Sequence, residues 1–181
     1  GKFIIDLERR AGRPRSIWEG WTHTLRRREE ERDAEIISQG QHEGELVHPI
    51  DLFLKMEEVM ARDSVLVVDG GDFVATGAYI LKPRRPLSWL DPGVFGTLGV
   101  GGGFALGAAL CRPEAEVWLI WGDGSSAYSL AEFDTYIRHG LAPIAVVGTD
   151  ASWGQIARDQ VDILGPSLGT DLRATDYHEV A

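Results

Sequence analysis

Three short runs, Val65-Leu66-Val67-Val68, Val117-Trp118-Leu119-Ile120-Trp121 and Ile144-Ala145-Val146-Val147, are apolar at every position, and each gives way to glycine and aspartate within a few residues. A strand with no polar alternation is buried on both faces, and that is the pattern of a parallel sheet covered by helices. Leu87-Ser88-Trp89-Leu90 reads as a fourth strand. Helical patterns lie between them. One begins at Pro49, a residue suited to a first helical position, and runs to Arg62; others cover Phe104 to Leu110 and Leu130 to Arg138. Strands alternating with helices predict an α/β fold, a doubly wound, mainly parallel sheet flanked by helices, preceded by an N-terminal linker.

Charge separates that linker from the rest. Residues 1 to 32 hold nine basic and six acidic side chains, while the whole chain carries a net charge of −10. The block Arg26-Arg27-Arg28-Glu29-Glu30-Glu31-Arg32 can pair its charges at helical spacing, which predicts a solvated helix in a charged, partly helical linker over 1–47. The domain proper is expected over 48–181, truncated at its C-terminal end, because the final Tyr177-His178-Glu179-Val180-Ala181 closes no element. A fragment is expected, since the chain opens on Gly1. The acidic balance argues against a general nucleic-acid binder. The single cysteine, Cys111, excludes an intrachain disulfide, and the five histidines show no metal-ligand spacing. Pro92 to Cys111 is an uncharged run of 20 residues, long enough for a membrane helix, but its seven glycines favour a loop feeding a short buried helix. No membrane segment is expected in this fragment.

In such sheets ligands gather beyond the carboxyl ends of the strands. There, Gly122-Asp123-Gly124-Ser125-Ser126-Ala127 formally satisfies a dinucleotide fingerprint. The aspartate between the glycines would repel a bare diphosphate; a divalent cation between them reverses the sign. Mg²⁺ takes hard oxygen ligands and commonly bridges one or two carboxylates to phosphate oxygens, so a second ligand is expected at a neighbouring strand end. Asp150 is the candidate, with the Ser152 carbonyl completing the protein ligands. Each aspartate taken alone is equally the residue of a turn or helix cap.

Gly122-Asp123-Gly124, followed after the 24 residues Ser125 to Gly148 by Thr149-Asp150, resembles the cofactor motif of the thiamine diphosphate enzymes. Gly96-Thr97-Leu98-Gly99-Val100-Gly101 is similar to that family's segment around the cofactor rings, and Trp89-Leu90-Asp91-Pro92-Gly93 and Thr175-Asp176-Tyr177-His178 resemble its 2-hydroxyacyl-CoA lyase and acetolactate synthase-like members. The family usually has Asn where this chain has Asp150. The resemblance implies Mg²⁺ on the Asp123 and Asp150 side chains and the Ser152 carbonyl. It implies diphosphate at Gly124 and Ser125 through a helix N-terminus, with Gly71 and Asp72 contributing from the first strand end. It implies a Gly96 carbonyl accepting from the cofactor amino group, and a Leu98 wedge beneath the two rings. Trp153 and Gln155 follow the metal loop and could face substrate.

The activity so implied is a lyase reaction, cleavage of a 2-hydroxyacyl-CoA to an aldehyde and formyl-CoA. The alternatives are a carboligase of the acetolactate synthase type acting on a 2-keto acid, and a catalytically silent subunit of the same fold. The resemblance places the activating glutamate on a separate N-terminal domain, usually of a partner subunit. No catalytic residue is therefore expected in this fragment, and a homo-oligomer with its site at the subunit interface is. By the same resemblance the full-length protein is expected at the endoplasmic reticulum membrane, with the cytoplasm as the alternative.

Overall fold

The computed structural model describes residues 18–41 and 43–181. The chain divides into two compact units, Gly1–Gln41 and His42–Ala181. In the first, helix α1 (Glu19–Gly40) is laced by Arg27–Glu31 and Arg32–Glu35 ion pairs, both at 2.7 Å and both exposed. Such pairs contribute only about 0.3–0.5 kcal/mol each, so they favour the helix without fixing it. Residues 1–17 of the expected linker lie outside the described residues.

The second unit holds α2 (Pro49–Val59), β1 (Val65–Val68), α3 (Asp72–Ile80), β2 (Trp89–Leu90), a 3₁₀ turn (Gly93–Phe95) and α4 (Gly101–Cys111). After these come β3 (Val117–Gly122), a single turn α5 (Asp123–Ser126), α6 (Glu132–His139), β4 (Ile144–Gly148), α7 (Gly154–Leu164) and α8 (Tyr177–Val180). The strands lie in the order β2-β1-β3-β4 and every pairing is parallel. All four residues of β1 are buried, as its unbroken apolar sequence requires. Val65, Val67, Leu119 and Trp121 pack on one face of the sheet against Ala105, Ala108 and Ala109 of α4 and Tyr136 of α6. Period-two alternation turns Leu66, Val68 and Ile120 to the other face, the side on which α3 packs on β3 and α2 packs on α3. There the Phe53 and Phe73 rings stand 4.7 Å apart, and Phe53 comes within 3.1 Å of where a Cβ would stand at Gly77, so a side chain there would push on the ring.

The expected doubly wound parallel sheet is present, with adjustments. The helix placed at Phe104 starts three residues earlier, so Gly101, Gly102 and Gly103 are helical and not loop. The reason is packing: Cβ atoms at Gly101 and Gly102 would stand within 2.9 Å of Leu119 and Ser129, respectively. The strand placed at 87–90 shrinks to Trp89–Leu90, since Leu87 has φ +61° and cannot pair in a ladder. Helices α3 and α7 are not among the elements expected from the sequence, although Ile156, Ala157, Val161 and Leu164 of α7 recur at helical spacing. In α3 the apolar pattern is interrupted by Thr76 and Gly77, and packing on α2 and β3 supplies what periodicity does not.

Candidate cofactor and metal site at the strand ends

Register brings the candidate ligands to one edge. Gly122 of β3 pairs with Gly148 of β4, so Asp123 and the Thr149-Asp150 loop leave the sheet side by side. Asp123 is only 5 % exposed. Its Oδ1 accepts from the Gly124 N–H and its Oδ2 from the Ala151 N–H, both at 2.8 Å, the second bond tying the two strand ends together. Ala151 takes φ +55° to make that bond, a left-handed conformation that costs an L-residue roughly 1–2 kcal/mol. No basic side chain lies within ion-pair distance of Asp123 among the described residues. A buried carboxylate without a counter-charge is costly, and each oxygen keeps a lone pair.

The loop after β4 is pinned from the far side by Trp153 N–H donating to the Thr170 carbonyl and Leu172 N–H to the Ala151 carbonyl, both at 2.8 Å. These bonds flank Ser152, whose carbonyl accepts no hydrogen bond among the described residues. Asp150 is exposed; its Oδ1 accepts from the Ser152 N–H at 3.0 Å, while Oδ2 faces Gly154 at the start of α7. No group of three or more His, Cys, Asp or Glu that could hold a metal exists among the described residues. A cation here would therefore have one or two protein carboxylates and take its remaining oxygens from phosphate and water, which is how Mg²⁺ is usually held. The donor set fits that ion.

The remaining candidates surround this pair. Gly124 and Ser125 belong to the one-turn α5, and the Ser125 hydroxyl is occupied locally, accepting from the Gly122 N–H at 3.0 Å and donating to the Gly122 carbonyl at 3.1 Å. The backbone of this turn, not its hydroxyl, is what remains for an anion. Gly71 has φ +99° with open space at its Cβ position, and Asp72 is ion-paired with Arg158 of α7. Gly96, at φ +57°, is exposed, and Leu98 is half-buried. Three strand-end glycines each carry a large side chain: Leu98 on Gly70, Trp153 on Gly124 and Phe73 on Gly148, all within 2.5 Å of where a Cβ would stand. The Trp153 ring thus packs on Gly124 and toward Tyr128, at 6.3 Å between centroids, while Gln155 is exposed on α7. The Tyr177 hydroxyl donates to the Asp123 carbonyl at 3.3 Å, tethering the last helix to the site.

Asp69, which directly follows β1, has a role that sequence reasoning did not assign. It is 2 % exposed, and its carboxylate accepts the Gly99 N–H at 2.9 and 3.1 Å and the Gly101 N–H at 2.8 Å. Burial pushes its pKa above the ordinary 3.8, against the Gly101 and Gly99 bonds, which favour the charged form. The one signal for it in the sequence was a carboxylate at the last step of a buried strand. Beside it an open groove of about 490 Å³ is lined by Val68, Asp69, Val74, Trp89, Pro92 and Val94. The β1 and β2 ends thus frame a groove that is apolar but for Asp69 and Asp91, and the β3 and β4 ends carry Asp123 and Asp150.

Comparison with known proteins identifies the family. The family described as "Thiamine pyrophosphate enzyme, C-terminal TPP binding domain" matches residues 69–181. Relatives named 2-hydroxyacyl-CoA lyase 2 are 48% identical in Danio rerio, over 182 residues, and 48% identical in Homo sapiens, over 187 residues; both alignments take in 100% of this chain and 29% of the relative. An acetolactate synthase large subunit of Mycobacterium tuberculosis is 34% identical over 99% of this chain and 33% of its own length. The chain thus spans about a third or less of the curated relatives it matches. In fold, it is similar to a thiamine diphosphate-dependent 4-hydroxybenzoylformate decarboxylase of Rhodococcus jostii RHA1, with a TM-score of 0.70 at 20% identity over 77% of this chain and 27% of that one. With the parallel sheet and the strand-end carboxylates in place, the chain belongs to the thiamine pyrophosphate enzyme family and carries its C-terminal TPP-binding domain.

Proposed function

We propose that this chain holds Mg²⁺ and the diphosphate of thiamine diphosphate in a carbon–carbon lyase that cleaves a 2-hydroxyacyl-CoA to an aldehyde and formyl-CoA. The observation that carries the metal assignment is Asp123, a buried carboxylate with no basic partner among the described residues, fixed at a strand end beside the β4 loop. The substrate class rests on the full-length match of this chain to relatives named 2-hydroxyacyl-CoA lyase 2.

In this reading Asp123 and Asp150 hold the cation by their side chains and Ser152 by its carbonyl. The backbone at Gly124 and Ser125, with Gly71 and Asp72 across the strand ends, receives the diphosphate. Gly96 and Leu98 orient the rings, Gly96 through its carbonyl and Leu98 as an apolar support. The cofactor, when bound, supplies a nucleophilic carbon and a store for the electron pair released as the C1–C2 bond of the substrate breaks. Trp153, packed on Gly124, keeps water from the diphosphate side, and Gln155 lies at the exposed rim. No residue of this chain is assigned to activating the cofactor; that group belongs to another domain, and the complete site forms at a subunit interface of a homo-oligomer at the endoplasmic reticulum membrane. No helix among the described residues is long and apolar enough to cross a membrane.

A second reading, acetolactate synthase-type carboligation, is favoured by the 34% identity to the mycobacterial synthase subunit. The test gives the full-length protein, with Mg²⁺ and thiamine diphosphate, either a 2-hydroxyacyl-CoA or pyruvate and follows the products. Aldehyde and formyl-CoA from the first are expected. Acetolactate from pyruvate without thioester cleavage would move the assignment to the carboligase, and failure to retain cofactor would leave only a silent subunit.

A further inference from the structure

We propose that Asp69 is the positioning residue of the cofactor-ring half of the site: its buried carboxylate sets the conformation of the Gly96–Val100 loop, and the loop in turn places Gly96 and Leu98. This deepens the reading above and rests on it.

The geometry runs from the end of β1 outward. Asp69 N–H donates to the Ile120 carbonyl at 2.9 Å, so the residue is still locked into the sheet where its side chain leaves it. The side chain reaches 30 and 32 residues along the chain to take the N–H groups of Gly99 and Gly101. Both residues are wedged as well as bonded. Gly99, at φ +89°, has its Cβ position 2.4 Å from Tyr128 Cβ, and Gly101 has its Cβ position 2.8 Å from Asp69 Oδ2 and 2.9 Å from Leu119 Cδ1. Between these fixed points the backbone has little freedom. Leu98, one residue before Gly99, then lays its side chain on Gly70, the neighbour of Asp69. One dipeptide, Asp69-Gly70, therefore grips the loop twice, by hydrogen bonds through its carboxylate and by contact through its bare Cα.

The first turn of α4 confirms which group does the holding. Gly101 N–H, at the helix start, is taken by Asp69, and Gly102 N–H by the Ser129 hydroxyl at 3.3 Å. The Tyr136 hydroxyl donates to the Gly102 carbonyl at 2.7 Å. A buried negative group at a helix N-terminus also meets the positive end of the helix dipole. None of these groups touches Asp123, whose carboxylate is held by Gly124 and Ala151. The ring half and the metal half of the site thus have separate anchors, at β1 and at β3 with β4.

That separation supplies the test. In the full-length protein, binding of Mg²⁺-thiamine diphosphate and of Mg²⁺ with inorganic diphosphate is measured by calorimetry, and backbone amide exchange is followed over residues 96–103. Asp69→Ala is expected to weaken thiamine diphosphate at least tenfold, to leave inorganic diphosphate within threefold, and to speed exchange in that segment. Asp69→Asn keeps an acceptor oxygen where Oδ2 stands but sets an NH2 group toward the Gly99 N–H, and is expected to weaken thiamine diphosphate binding less than Asp69→Ala does. Should Asp69→Ala fail to fold, Asp69→Ser, whose hydroxyl is too short to reach both N–H groups, is read with the same two ligands. Unchanged thiamine diphosphate binding in the Ala or Ser variant would overturn the inference, as would equal loss of both ligands, the mark of a merely structural role. Wild-type protein that binds inorganic diphosphate but not thiamine diphosphate would instead overturn the reading of the site itself.

Discussion

Replacing Gly101 by alanine should destabilise this chain, against the ordinary trend for a helix. On propensity alone, a Gly→Ala change within a helix gains about 0.8–1 kcal/mol. At Gly101, however, the new methyl would stand 2.8 Å from Asp69 Oδ2 and 2.9 Å from Leu119 Cδ1, inside a core where Leu119 is fully buried. Overpacking of this kind costs about 1–3 kcal/mol. If the helix start moves away instead, the 2.8 Å bond from Gly101 N–H to the buried Asp69 is lost, which leaves a charged acceptor short of a donor at about 1–3 kcal/mol. Setting the propensity gain against either term leaves a net loss of about 1 kcal/mol, or about 2–4 °C in Tm at this chain length. Gly107, in the same helix, has nothing within 4 Å of its Cβ position, so Gly107→Ala keeps the propensity gain and should raise Tm by about 2–4 °C. Thermal unfolding of the two variants of this 181-residue chain, followed by far-ultraviolet circular dichroism, compares opposite signs within one element. A Gly101→Ala variant as stable as wild type would refute the close packing of α4 on Asp69 and Leu119.

Other consequences concern the carboxylates and the chain as a whole. Asp123→Ala in the full-length protein should abolish Mg²⁺-dependent retention of thiamine diphosphate, and calorimetry showing the same affinity with Mg²⁺ present would remove the basis of the metal assignment. For Asp69, the folded-state pKa lies above the ordinary 3.8 because of burial, so the native chain binds this proton more tightly than the unfolded one. Stability from this group is therefore gained as pH falls through the raised value toward 3.8 and lost as pH rises, so the stability of wild type relative to Asp69→Asn should decline with rising pH across that window. Urea midpoints taken at several pH values would show it, and a relative stability that climbs with pH would contradict the sign. The 181-residue chain alone should release no formyl-CoA from a 2-hydroxyacyl-CoA, since none of its residues is assigned to cofactor activation; turnover by the chain alone would place the activating group within it.

Much of the framework was legible in local sequence because the physics behind it is local. Unbroken apolar runs such as Val65–Val68 can satisfy themselves only in a doubly covered sheet, and parallel strands then carry the Asp69, Asp123 and Asp150 segments to one edge. The aspartate of Gly122-Asp123-Gly124 stood out because a carboxylate beside a diphosphate needs a cation. What the sequence left open depended on atoms far apart along the chain. Asp69 is an unremarked turn residue until Gly99 and Gly101, 30 and 32 residues later, donate to it. Trp153, which in the sequence could face substrate, packs on Gly124, a contact the sequence did not show, because that glycine leaves room for a ring. Asp72 meets Arg158 of α7, 86 residues away, and Ala151 accepts a left-handed backbone because Asp123 takes its N–H. The sequence determined which side chains stand at the strand ends, since burial fixes strands one by one. The tertiary structure alone decided which of those carboxylates is left without a basic partner and which holds a loop, because a buried acid takes its role from the donors that the fold brings to it.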